Sequence, residues 1–199
     1  MLYNMPMMDP KELLFSLPTL CDSAPAIDDA PPSNNQRSLH EDDWRQIELV
    51  VRTNLAYIEK ELERLAAFKQ QHRRGPGWTD VYIRPEHPTT LASVGLQSDS
   101  LPAFSASALT IGMGDMVKGG FALSDGGEWF LYGQRTENGH ILHLAVSPGH
   151  TLPSESFARA LSQFAQTAGL LLVDWYAGAL VDTSSAKSVL AWAGRYQRH

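Results

Sequence analysis

The chain predicts an α+β fold, with a long N-terminal helix and an antiparallel meander sheet whose helices pack on one face. Three observations carry this expectation. Apolar residues recur every three to four positions between residues 44 and 65. Between residues 78 and 146 the pattern changes to short apolar runs broken by turn residues. Two further helical patterns then flank one short apolar run at 170–173. Helix, strands, helix, strand, helix is an order that suits an antiparallel sheet better than repeated βαβ units.

The elements follow in order. Residues 1–37 read as a flexible or partly ordered tail, and 38–199 as a single α+β domain. The stretch CDSAPAIDDAPPSNNQR is rich in Pro, Asp, Ser and Asn and has little to bury. Before it, KELLFSLPTL reads as a short helix or docking segment through Leu14, Phe15 and Leu17, and Met5, Met7 and Met8 are each alternative translation starts. SLHEDDWR raises a choice between a metal or acid/base site and a helix start. Ser38 followed by Glu41 fits a capping box, and Asp42 and Asp43 place negative charge where a helix dipole favours it. Consecutive helical residues point about 100° apart, so His40 and the three acids do not converge on one ion. Trp44, Ile47, Val51, Leu55, Ile58, Leu62 and Leu65 then form the expected core stripe, with Glu41–Arg45 and Glu48–Arg52 as i,i+4 pairs. The helix is expected to end near Arg74, before Gly75-Pro76-Gly77, with Thr53-Asn54 as a point where it kinks or splits.

Residues 78–84 suit a strand, and 85–102 a long polar loop with three prolines. Strands are expected at 107–113, 120–123, 128–134 and 140–146. Ser124–Gly127 and Glu137-Asn138-Gly139 are the turns, and Asn-Gly between alternating runs is a strong hairpin signal. A helix is expected over 154–168 with Gly169 as its stop, then a buried strand at 170–173. A last helix is capped within 182–185 and runs through Trp192.

Composition excludes several classes. The 199 residues carry 16 Lys and Arg against 22 Asp and Glu, a net charge of −6. That balance opposes nucleic acid and anionic membrane surfaces, and leaves room for a basic protein partner, which an acidic surface steers in. One cysteine, Cys21, allows no internal disulfide and no cysteine-based zinc site. The N-terminus lacks the basic and apolar regions of a signal peptide, so a cytoplasmic protein is expected.

Candidate chemistry is sparse. Cys21 lies in the expected tail, apart from any held base. Neither Gly-x-Ser-x-Gly nor His-Glu-x-x-His occurs. His143 reads as a hydrogen-bonded core or cleft residue, and His140 falls on the opposite face of the same expected strand. Glu86 and His87 in RPEHP either line a site or form an exposed turn. GMGDMVKGG at 112–120 lacks the phosphate-loop spacing and reads as a loose turn, with Lys118 facing any anionic partner. Asp174, ahead of Trp175 and Tyr176, is a general base, a partner anchor or a satisfied structural acid. No cofactor and no metal are expected.

The folded part opens with SLHEDDWRQIELV and closes with LLLVDWYAGALVD. An acidic α+β chain of this character resembles the small immunity proteins that bacteria encode beside polymorphic or contact-delivered toxins. The resemblance spans much of residues 38–199 and transfers no family residue. It implies a cytoplasmic, non-catalytic protein, monomer or homodimer, that neutralises a cognate toxin domain by stoichiometric binding. The expected partner contacts are Asp42, Asp43, Asp115, Asp125 and Glu86, paired with toxin Lys or Arg, with Trp175 as an aromatic hot spot. Three other readings stay open. One is a cytoplasmic chaperone for a secreted effector, using strand edges. Another is an enzyme with a dispersed site built on His143, Asp174 or His87. The third is an oligomeric structural subunit, which needs a large apolar patch.

Overall fold

The structure is a computed structural model that describes residues 14–29, 31 and 34–197. The alternative starts at Met5, Met7 and Met8, and the first residues of KELLFSLPTL, lie outside the described residues. The elements in chain order are β1 (Thr19–Cys21), β2 (Ile27–Asp28), β3 (Gln36–Leu39), β4 (Ile47–Val51), α1 (Leu55–His72), β5 (Arg73–Arg74), β6 (Gly77–Trp78) and β7 (Tyr82–Arg84). They continue with β8 (Ser105–Ile111), β9 (Asp115–Val117), β10 (Gly120–Ser124), β11 (Phe130–Arg135), β12 (Ile141–Ser147), α2 (Glu155–Thr167), β13 (Leu170–Asp174), β14 (Ala179–Val181) and α3 (Ala186–Ala193). The fold is α+β, with a mostly antiparallel ten-stranded sheet in the order β14-β13-β4-β12-β11-β10-β8-β9-β2 and β3 added alongside β8.

The first expected helix is corrected in its N-terminal half. Ser38 lies in β3, paired in parallel with Thr110 of β8, so no capping box forms. Glu41–Asp43 make one 3-10 turn, capped by His40 Nδ1, which accepts from the Asp42 N–H at 3.2 Å. Ile47–Val51 is then a central strand between β12 and β13. The reason is visible in IELVV: Ile47, Leu49 and Val51 point to one face and Glu48 and Val50 to the other, and all five are buried. A strand buried on both faces shows no polar alternation, and its apolar residues also satisfy helical spacing. The expected split at Thr53-Asn54 is where helix α1 begins. Asn54 is 3% exposed and exchanges two hydrogen bonds with the backbone of Thr89, at 2.7 and 3.1 Å.

Helices cover both faces of the sheet instead of one. Ile47, Leu49, Leu131, Leu144, Leu170 and Leu172 pack against Phe157, Leu161 and Ala165 of α2 and against α3. On the other face Val50, Leu171, Val173 and Trp175 pack against Ile58 and Leu65 of α1. Farther along that second face, Leu39, Trp44, Leu109, Phe130 and Tyr132 form a third apolar cluster without a helix.

Part of the segment expected as a tail is structured. β1 pairs in parallel with β7, β2 pairs with β9, and Phe15 bridges Trp78 through backbone bonds of 2.8 and 3.1 Å. Two expectations are corrected: the strand expected over 78–84 is split into β6 and β7, and the loose turn expected over 112–120 holds β9, which pairs with both β8 and β2. β14 follows β13 as an unanticipated hairpin partner, while β8, β10, β11, β12, α2, β13 and α3 fall close to their expected positions. Ser154 caps α2 by accepting from the Phe157 N–H at 3.0 Å, and Ser185 caps α3 in the same way at 3.1 Å. No described helix is long and apolar enough to cross a membrane.

Candidate functional site: an acidic cleft backed by a buried ion network

Two polar features lie side by side beneath the Glu41–Arg45 turn. The inner one begins with Glu48, which the register of β4 places on the α1 face of the sheet. A carboxylate there is isolated from water and requires partners. Both Nε and Nη2 of Arg45 approach its Oε1 at 2.7 Å. His87 Nε2 lies 3.0 Å from its Oε2, and the Trp175 indole N–H donates to the same oxygen at 3.2 Å. Arg45 reaches this position because its backbone turns through a left-handed conformation at φ 57°, and its N–H donates to the Tyr132 hydroxyl at 2.8 Å. Its other side extends to Glu86, with Nη1 to Oε1 at 2.5 Å and Nη2 to Oε2 at 3.1 Å. Arg84 completes the group, donating to the Arg45 carbonyl at 2.9 Å and lying 5.0 Å from the centre of the Trp175 ring.

The electrostatics follow from this geometry. Burial alone raises the affinity of Glu48 for a proton, but the Arg45 guanidinium, His87 and Arg84 hold its carboxyl well below the usual carboxylate range. Glu86 is held down to about 2 against its partial burial, through hydrogen bonds from Arg45 and Ser23. Burial pulls Arg84 down to about 10, with Glu48 offsetting part of the effect. His143 is pushed down to about 4 by burial and by the Arg45 charge, so it is neutral at pH 7. The space left among these groups is about 20 Å³, room for about one water molecule. His87 Nδ1 is buried there without a hydrogen-bond partner among the described residues.

The outer feature is an open cleft of about 460 Å³. Its floor is apolar, from Leu20, Trp44 and Ile111, and its rim carries Asp22, Glu41, Asp42 and Asp115. Three separate segments bring these carboxylates together: the chain after β1, the 3-10 turn, and the start of β9. None of the described residues lining the cleft is Lys, Arg or His. A larger depression of about 760 Å³ on another part of the surface mixes Lys118 and Arg135 with Glu137, so it selects no single charge. The two features touch through Ser23. Its hydroxyl, in the cleft wall, donates to Glu86 at 2.5 Å and accepts from Arg45 at 3.2 Å.

The structure brings some of the anticipated residues together and separates others. Asp42 and Asp115 share the cleft. Asp43 is exposed in the adjoining turn, and its carbonyl accepts from Tyr132 at 2.8 Å. Glu86 belongs to the ion network through Arg45 instead of standing free. Asp125 lies elsewhere, at the β10–β11 turn, where it accepts from Ser154 and Ser156. Trp175 is 1% exposed and presents no surface. Asp174 is a satisfied structural acid, accepting from Trp192 Nε1 at 2.9 Å, the Tyr196 hydroxyl at 2.8 Å and the Ala177 N–H at 2.8 Å. The expected Glu41–Arg45 and Glu48–Arg52 pairs are replaced by Arg45 with Glu48 and Glu86, because 38–51 is not helical. Asp22 and Glu41 were not anticipated as rim residues. Asp22 stood in a segment without periodic signal, and Glu41 was assigned to a cap. Among the described residues no group of three or more His, Cys, Asp and Glu is placed to hold a metal ion.

Compared with known proteins, the chain matches no family model, no curated protein and no solved structure.

Proposed function

We propose that this is a non-catalytic, cytoplasmic binding protein that neutralises a cognate bacterial toxin domain by stoichiometric association. The observation that carries the reading is the contrast between the two polar features. The ionisable groups best suited to chemistry are paired with one another around a space of about 20 Å³, whereas the open cleft presents carboxylates alone. An acidic rim on a protein of net charge −6 attracts a basic partner at long range and selects against acidic ones. Fully exposed Met113 and half-exposed Ile27 stand beside the rim and supply apolar contact area.

Affinity capture with the tagged full-length chain from its own host, washed at high salt and followed by mass spectrometry, tests this reading. The expected result is one dominant partner at 1:1 stoichiometry, whose own expression is toxic. A partner that is a non-toxic secreted protein instead moves the assignment to a chaperone. Turnover of a small molecule by the purified chain, abolished by His87→Ala, overturns the non-catalytic reading.

A further inference from the structure

We infer that the side-chain network around Arg45 is an acid-sensitive clasp: proton uptake by His143 releases the β1–β7 ribbon, and with it one wall of the cleft, while the helix-covered centre of the sheet stays folded. As regulation of partner binding the clasp rests on the role proposed above. As a motion of the chain it does not, and the motion alone is what the test reads.

The way the ribbon is attached is the first support. β1 and β7 form a separate two-stranded sheet, so no backbone ladder holds them to the ten-stranded one. Their apolar attachment is slight, since Cys21 and Tyr82 are only partly buried at the margins of two clusters. Side chains do the fastening. Gln46 Nε2 donates to the Thr19 carbonyl at 2.8 Å, and Arg84 Nη2 donates to the Arg45 carbonyl at 2.9 Å. Just past β7, Glu86 holds both Arg45 and Ser23, and His87 holds Glu48. Ser23 stands in the cleft wall with Cys21 and Asp22, so the same fastening sets that wall. A joint made of ionisable groups responds to protons, which an apolar joint does not.

His143 of β12 is the group placed to take the proton. Its ring lies edge-on to Trp44, with centroids 6.2 Å apart, and its nitrogens bond to no described residue. It lines the space of about 20 Å³ together with Arg45 from the turn, Glu48 from β4, and Glu86 and His87 from the chain after β7. Arg84 acts on Glu48 from behind, and the residue opposite His143 on β11 is the neutral Gln134. A cation at His143 adds to the Arg45 charge and competes with Arg45 for Glu86. It also requires hydration, which a space for about one water does not supply. Glu86, with its side chain 41% exposed, is the member at the mouth. Lifting it, with residues 84–87 and Ser23, admits water. The closed form holds His143 near 4 against an ordinary 6.5, so protons favour the open form as pH falls below about 6.5. Linkage then raises the open population about twentyfold between pH 7 and pH 5.

Hydrogen exchange of the full chain at pH 7 and pH 5, corrected for the intrinsic rate at each pH and read by mass spectrometry, tests the clasp. Residues 19–28 and 82–91 are expected to exchange together, through an opening more populated than the one that exposes residues 170–174 of β13. Both segments are expected to lose about twentyfold of protection from pH 7 to pH 5, and to regain it on return. His143→Gln is expected to keep the protection seen at pH 7 and to remove most of its pH dependence. In the native chain, the His143 imidazole is expected to titrate by NMR over the range in which these segments open. Protection of residues 19–28 equal to that of β13 at both pH values overturns the inference, because only global unfolding then responds. Separate responses of the two segments, or an unchanged response in His143→Gln, also overturn it. Where that variant does not fold, a His143 resonance that titrates outside the range of accelerated exchange does the same. All of these readouts use the chain without a partner, so their failure leaves the binding role standing, and failure to capture a partner leaves the clasp standing.

Discussion

Glu48 is the residue on which the interior turns. It sits in the middle of a buried strand and is stable there only because Arg45, His87 and Trp175 occupy its oxygens. Removing one partner of a buried pair leaves the other uncompensated, at a cost of about 3–5 kcal/mol. Glu48→Gln is therefore expected to lower unfolding free energy by several kcal/mol in denaturant titrations. Arg45→Met combined with Glu48→Leu is expected to recover much of that loss, because it removes both charges. The same cluster sets the acid response. His143 has a folded-state pKa near 4, below its ordinary 6.5, so the unfolded chain binds the extra proton first as pH falls. Stability is complete above about pH 6.5 and declines between there and about pH 4. Below about 4.5, protonation of Glu86 and Glu48 adds a second loss. Thermal unfolding across pH 4–7 checks this, and His143→Gln is expected to flatten the upper part of the profile. Of these residues, His143, His87 and Glu86 were legible as candidates because their residue types are chemically conspicuous. Their union was not, because Ser23, the Arg45–Glu48 pair, Glu86-His87 and His143 lie in four segments far apart in sequence, and no local spacing joins those segments.

At the scale of elements, what could be read depended on whether an element carries its own signal. The β10–β12 meander was legible from its turns, and α2 from its apolar face, the Ser154 cap and the Gly169 stop. Strand β4 was misread because both of its faces are buried, so IELVV lacks the alternation that distinguishes a half-exposed strand. β1, β2 and β3 were missed because two to four residues have no periodicity, and only pairing with β7, β9 and β8 gives them their shape. Their energetic weight differs accordingly. Leu172 of β13 is fully buried between β4 and α2, and Leu172→Ala is expected to cost about 2–5 kcal/mol. Hydrogen exchange is expected to be slowest in β4 and β13 and fastest in β1 and β2, which hang on short pairings at the margin. Glu86→Ala is expected to speed exchange in β1 and the chain after it, because Ser23 loses its anchor, while β13 is unchanged. Equal acceleration in β13 would show that Glu86 supports the whole fold and not the cleft wall.

For the whole molecule, the architecture separates support from recognition. Helices on both faces fix the β4–β12–β13 centre, and the buried ion network ties the Glu41–Arg45 turn to it. The sheet's far end, with β8, β9 and β2, carries the cleft with its apolar floor and acidic rim away from the helices. Such a layout keeps the supporting centre unchanged when a partner docks and confines any ordering to the short β1 and β2 pairings. The most direct measurement is co-expression of the chain with the dominant partner that it captures from its host. The account predicts that the partner alone arrests growth, that the native chain restores growth through a 1:1 complex, and that Asp42→Lys with Asp115→Lys abolishes both rescue and complex. A captured partner that forms the same complex with this variant, or whose toxicity persists when the complex has formed, would contradict it.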